Sequence, residues 1–155
     1  FPYTTLFRSQ PDSVITGYKA NFADGPMKPE NLFDKKIGSA WVSEGVFAEN
    51  INPIVLTFDS KVLVNTIGIG AGYQLALDDN YQDRFSYFAK PKVVVLKSDN
   101  NQTRRVILHN VKGMQYFNVQ PFETTTLELY IKEVHRVDQD APVAISELSI
   151  IGLEL

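Results

Sequence analysis

Nowhere in this chain do apolar residues recur at the three-and-four spacing that lays one face of a helix on a core; where they are regular, they alternate. The clearest run is residues 127–132. There Leu127, Leu129 and Ile131 face one way and Glu128, Tyr130 and Lys132 the other, which is the pattern of an antiparallel strand half buried in a sheet. Shorter runs repeat the theme. Residues 13–20 put Val14, Thr16 and Tyr18 on one alternation, 54–58 carry Ile54, Leu56 and Phe58 and are ended by Asp59-Ser60, and 62–69 form a second apolar run. Residues 92–97 turn through Ser98-Asp99-Asn100-Asn101-Gln102 and return at 105–108 as a hairpin. Phe117 and Val119 precede Pro121, and 144–153 form a closing strand. Only residues 74–77 could start a short helix. Recurring strands with turn residues between them imply an all-β sandwich or jelly roll. At 155 residues and 44% hydrophobic composition the chain can bury one core as a single domain.

The same composition excludes several functions. A net charge of −3 without clustered basic residues does not suit nucleic acid. There is no cysteine, hence no disulfide, thiolate metal site or cysteine nucleophile. No apolar run reaches the roughly 20 residues of a membrane helix. Ten Phe and seven Tyr argue for a packed fold rather than disorder.

Residues 1–9, FPYTTLFRS, can be read codon by codon as TTTCCCTACACGACGCTCTTCCGATCT, part of a widely used sequencing adapter. They are expected to be an artefact of uncurated environmental DNA and are set aside from fold reasoning. The native chain is then expected to continue upstream, with residues 10–155 as the domain.

Two loops stand out. In PENLFDKKIGSAW, residues 29–41, Pro29 fixes its own φ, and Asn31 and Asp34 are residue types that bond back to nearby backbone. The loop also carries side-chain oxygens on Asn31, Asp34 and Ser39 and ends in Trp41, the only tryptophan, so it could hold a cation and anchor on a core. Residues 71–91 form the longest stretch without periodicity, and a loop of that length in a compact domain is usually functional. Gly68, Gly70 and Gly72 lead into it at alternate positions, where other backbone is expected to approach closely.

The spacing N-x-x-D, then Ser39 and Trp41, resembles the signature of discoidin domains, also called coagulation-factor C-type domains, and the resemblance covers most of residues 21–153. ISELSIIG at 145–152 is similar to the closing strand of such modules. IGIGAGY at 67–73, Lys90-Pro91-Lys92, and the block from LKSDNN to YIKEV resemble the glycan-binding subtype found with bacterial NAD glycohydrolase toxins. Two departures are plain: Lys35 and Lys36 follow Asp34 where the family usually has glycine and an acidic or polar residue, and Pro53 stands where a tryptophan is often found. The resemblance implies a galactose-binding-domain-like jelly-roll sandwich of about eight antiparallel strands, extracellular or at a cell surface, as part of a larger multidomain protein. It also implies a structural Ca2+ held by Asn31, Asp34, Ser39 and Glu147. The alternative is an Asx turn at Asp34 with Glu147 paired to Lys35 or Lys36.

Ligand binding in such sandwiches falls on loops at one end. The candidates are Glu44, Phe47, Tyr73, Tyr81, Arg84 and Phe85, together with His135 and Arg136; Tyr87 and Phe88 belong to the same aromatic group. Sugars offer apolar C–H faces and hydroxyls, which aromatic rings and charged donors match. The expected function is a non-catalytic carbohydrate-binding module, or a protein-interaction and adhesion module using the same loops. For any one aromatic, simple packing of the loop is the alternative. Catalysis finds little footing. His135, Asp138 and Asp140 read as solvated loop, Asp78-Asp79 lacks an identifiable acid partner, and no G-x-S-x-G occurs.

Overall fold

A computed structural model describes residues 13–21, 32–33, 35–36, 40–43, 53–74, 84–136 and 139–155. Among these are eight strands and one helical turn: β1 (Ser13–Val14), β2 (Tyr18–Asn21), β3 (Trp41–Val42), β4 (Ile54–Ala71), α1 (Arg84–Tyr87), β5 (Lys90–Ser98), β6 (Thr103–Ile107), β7 (Met114–His135) and β8 (Ala144–Glu154). The expectation about residues 1–9 lies outside the described residues. Residues 75–77, most of the stretch where a short helix was expected to start, lie outside them as well; the helical turn among the described residues is Arg84–Tyr87.

Hydrogen bonds join the strands in the order β1-β8-β4-β7-β5-β6, with β2 beside β4 and β3 beside β8, every strand pair antiparallel. The assembly closes into a sandwich because its two longest strands serve both layers. Ile54 to Thr57 of β4 pair with Leu129 to Thr126 of β7 and, on the other side, with β2. Val62 to Gly70 pair with Thr124 to Met114 of β7 and with β8. One layer is therefore β2-β4-β7-β5-β6 and the other is built on β8-β4-β7. Both long strands cross between layers at the register shift between Thr57 and Val62. A strand that changes sheets at a bulge makes the corner of a sandwich. Asp59 and Ser60, expected to end a strand, form with Lys61 the exposed outside of that corner, and the strand runs on.

Between the layers lies an apolar core. Leu56, Leu96, Leu127 and Leu129 come from one layer and Val64, Ile67, Ile69, Leu148 and Ile150 from the other, each at most 2% exposed. Trp41 joins this core, paired across the ladder with Ile145, and so provides the predicted anchor for the first loop.

The inward alternation changes parity at each bulge. Val62 and Val64 point inward, then Ile67 and Ile69, with the shift falling between Val64 and Thr66. In β7 the inward set passes from Phe117 and Val119 to Phe122 and Thr124, then to Leu127, Leu129 and Ile131. The predicted single strand over 13–20 does not form. β1 pairs with β8 and β2 with β4, so the chain changes layers at residues 15–17, leaving Val14 53% exposed and Ile15 buried. The expected close backbone approach occurs at another glycine. A Cβ on Gly152 would lie 1.8 Å from the Leu63 carbonyl oxygen, whereas Gly68 and Gly72 are met by the side chains of Tyr116 and Lys90.

Candidate functional site

Because β7 crosses both layers, its two ends return to the same end of the sandwich: Met114 stands opposite Gly70 in one layer and His135 opposite Lys90 in the other. The C-terminal end of β4 and the N-terminal ends of β5 and β8 meet there. The segment 142–145 stitches them together. Ala144 N–H donates to the Ala89 carbonyl (3.0 Å), Gly72 N–H to the Ala144 carbonyl (2.9 Å), Ala89 N–H to the Pro142 carbonyl (3.0 Å) and Ser43 N–H to the Val143 carbonyl (2.9 Å).

A bulge then turns a polar side chain into this rim. Glu147 pairs with Gly70 but Ile145 with Ala71, so Ser146 is the extra residue and is fully buried. Its hydroxyl donates to the Gly72 carbonyl (2.6 Å) and accepts from the Gln74 N–H (3.2 Å). Gln74 passes the constraint outward: its amide donates to the Ala71 and Gly113 carbonyls at 3.0 and 3.3 Å, and its Oε1 accepts from the Gly113 N–H at 2.7 Å. The 109–113 loop is thus tied to the end of β4, and Lys112 with it.

Three of the predicted ligand residues, Tyr73, Arg84 and Phe85, meet at this rim. Tyr73 is 7% exposed, packs on Ala40, Val42 and Ala144, and stacks on Phe88 with ring centroids 5.6 Å apart. Arg84 Nη1 donates to the Tyr73 hydroxyl (2.8 Å), and its guanidinium carbon is 4.8 Å from the Tyr73 ring centroid. Tyr73 is therefore placed to hold Arg84 more than to stack on a ligand. Tyr87 meets Phe88 edge-on at 4.9 Å, so these aromatics pack α1 onto the sandwich. Phe85, half buried, draws two ammonium groups, with Lys90 Nζ 4.7 Å and Lys112 Nζ 5.6 Å from its ring centroid. At an exposed site such a contact is worth about 0.5–1 kcal/mol, so it orients Lys112 without neutralising it.

Lys90, noted in the sequence only within Lys90-Pro91-Lys92, is also part of the rim. It is 2% exposed, donates to the Phe85 carbonyl (2.8 Å), and its stem fills the place where a Cβ on Gly72 would be, 2.6 Å from Lys90 Cγ. Gly72 has φ +77°, so glycine is required there on two counts. Gln74 and Ser146 were missed. Gln74 follows Gly72 by two residues, whereas no glycine flanks Lys90 or Ser146, so the sequence around those two carries no such signal.

His135 Nε2 lies 3.1 Å from the Leu108 carbonyl, and Arg136 donates to the Gln139 carbonyl (3.1 Å), both at the end of β7. Glu44, Phe47 and Tyr81 lie outside the described residues, as do Asn31, Asp34 and Ser39 of the predicted cation site. Of that set only Glu147 is described, on β8, where its charge adds to burial in pushing the Tyr18 phenol well above its ordinary range. Among the described residues no three of His, Asp and Glu gather to hold a metal ion.

Comparison with known proteins bears on this arrangement. A family model described as NAD glycohydrolase translocation F5/8 type C domain matches residues 14–151. Among solved structures, the CBM32-1, CBM32-2 and M60 catalytic domains of Clostridium perfringens ZmpB align with 90% of this chain at 15% identity and TM-score 0.66. This chain spans only 14% of that one. The family 32 CBM of C. perfringens NanJ, in complex with galactose, aligns with 91% of this chain and 99% of its own at 12% identity and TM-score 0.58. The CBM32 of AlyQ, in complex with 4,5-unsaturated mannuronic acid, aligns with 91% and 98% at 15% identity and TM-score 0.56. At such identities the likeness shows the fold, a β-sandwich of this kind. Comparison with curated sequences finds no match.

Proposed function

The chain belongs to the NAD glycohydrolase translocation F5/8 type C domain family, and from that premise we propose that it is a non-catalytic module that binds carbohydrate at the rim where β4, β5, β7 and β8 end. The observation that carries the reading is the Arg84–Tyr73 pair. Among the described residues a half-buried guanidinium is fixed by one hydrogen bond, to a buried tyrosine, which leaves its other N–H groups for a ligand, beside the half-buried ring of Phe85. A fixed planar donor next to an aromatic ring is the combination that suits a pair of sugar hydroxyls and an apolar C–H face. The structural neighbours support the same reading, since two of them were solved with a sugar bound. The module acts as a recognition unit within a larger, extracellular protein, with weak single-site affinity raised by multivalency. A structural Ca2+ at Asn31, Asp34, Ser39 and Glu147 belongs to the same proposal and would brace the first loop against β8.

A glycan array probed with the chain, in calcium and again in chelator, tests both parts. Reproducible hits that fall to background in Arg84→Ala are expected, with weaker signal in chelator. A folded chain with no hits overturns the carbohydrate reading in favour of adhesion to a protein, and equal signal with and without chelator removes the cation from it.

A further inference from the structure

Two neighbours of the same fold bind different sugars, one neutral and one acidic, so the fold leaves the charge of the ligand open. The rim bears on it. Resting on the carbohydrate reading above, we propose that the ligand is an anionic glycan, one that carries a carboxylate or sulfate, and that this group is received between Arg84 and Lys112.

Three observations carry this. First, cations converge there although the chain as a whole is acidic, at −3: Arg84 and Phe85 are consecutive on α1, and Phe85 has Lys112 and the buried Lys90 beside its ring. Second, what holds the two accessible cations carries no formal charge. Arg84 is held by a phenol hydroxyl and Lys112 by an aromatic ring, and among the described residues neither is ion-paired. A carboxylate partner would have cancelled their field, whereas a phenol and a ring position the charges and leave them for a ligand. Third, Lys112 is deliberately placed. It is exposed, yet its neighbour Gly113 is bonded through both N–H and carbonyl to Gln74, which is itself bonded to Ser146 in the β8 bulge. Gly113 adopts φ +97° to make that connection. A neutral sugar would need the guanidinium alone. The extra structure around Lys112 is explained by a negative group.

The test compares matched pairs of probes by calorimetry or biolayer interferometry: lactose against sialyllactose and against sulfated lactose, and reduced against free-acid oligogalacturonate. Expected is at least tenfold tighter binding of the acidic member of a pair, with the sulfate and carboxylate arms telling which anion is preferred. Raising salt from about 0.05 to 0.5 M should weaken the acidic binding several-fold, because the Debye length shortens over that range. Lys112→Ala, at an exposed position, should cost the acidic ligand several-fold and the neutral one nothing, with an unchanged melting temperature. Equal binding of neutral and acidic members, or a Lys112→Ala variant that binds the acidic probe as before, overturns the inference while leaving the carbohydrate reading standing. No binding of any probe by folded protein overturns both.

Discussion

The body of the sandwich and its rim are built on opposite terms. In the body, Leu56, Leu96, Leu127, Ile67 and Ile150 fill a core in which shape decides everything and no one side chain has a chemical task. At the rim, polar groups are buried or half-buried and held by named partners: Ser146 by Gly72 and Gln74, Gln74 by Gly113, Lys90 by Phe85, Tyr73 by Arg84. The body fixes where strands end, and the rim fixes which donors those ends present. Stability and recognition should therefore come apart under substitution.

The largest effect is expected in the body. Gly152→Val would force a side chain onto the Leu63 carbonyl, already 1.8 Å from an ideal Cβ, and β4 and β8 would have to separate. A loss of roughly 3 kcal/mol or more is expected, read as a collapse of the denaturation midpoint and of soluble yield. A midpoint near that of the parent would show that the two strands can part without disturbing the core, and the contrast drawn above would weaken.

Lys90→Met is the matching change at the rim. Methionine keeps the aliphatic stem over Gly72 but removes the ammonium that donates to the Phe85 carbonyl. Removing the donor leaves the Phe85 carbonyl without it, so a cost of about 1–3 kcal/mol is expected, below that of Gly152→Val. Binding should suffer much more, because α1 loses the bond that sets Arg84 and Phe85. If Lys90→Met melts as early as Gly152→Val, body and rim are one cooperative unit and the division fails.

The same division explains how much could be read from the residues in advance. The alternation at 127–132 appears in the structure as expected, because a long half-buried strand leaves period two in its sequence. So do the hairpin at Ser98 to Gln102, where Asn101 takes φ +67°, and the final strand. The continuity of β4 and β7 was hidden, since each bulge moves the inward set by one position, and Asp59-Ser60 or Pro121 then looks like an end. The break between β1 and β2 was hidden for a related reason: Val14, Thr16 and Tyr18 alternate well, but the chain changes layers between them. At the rim the aromatic residues and Arg84 were legible from composition. Lys90, Gln74 and Ser146 were not, because their importance comes from partners 5 to 74 residues away in sequence.

The smallest effect, and the control for the comparison, lies at the far end of β5 from the rim. Asp99, in the β5–β6 turn, accepts from both the N–H (2.9 Å) and the hydroxyl of Thr125, and these bonds hold its carboxyl below the ordinary value of 3.8, with Lys61 adding a little in the same direction. A carboxylate favoured in the folded state contributes stability that is complete above the unfolded pKa and is lost as pH falls through the folded one. Asp99→Asn should therefore lower stability at neutral pH, by roughly 0.5 kcal/mol or less because the group is almost fully solvated. The difference from the parent should shrink once pH drops below 3.8, as the parent's own carboxyl takes up its proton. Melting curves of the two proteins from pH 7 downward give the check. Converging midpoints identify the charge on Asp99 as the cause, whereas a constant gap would assign the effect to the altered shape of the turn. Glycan binding at neutral pH should be the same in both proteins, since the turn lies at the opposite end of β5 and β7 from the rim; any loss would mean that the body transmits more than its register.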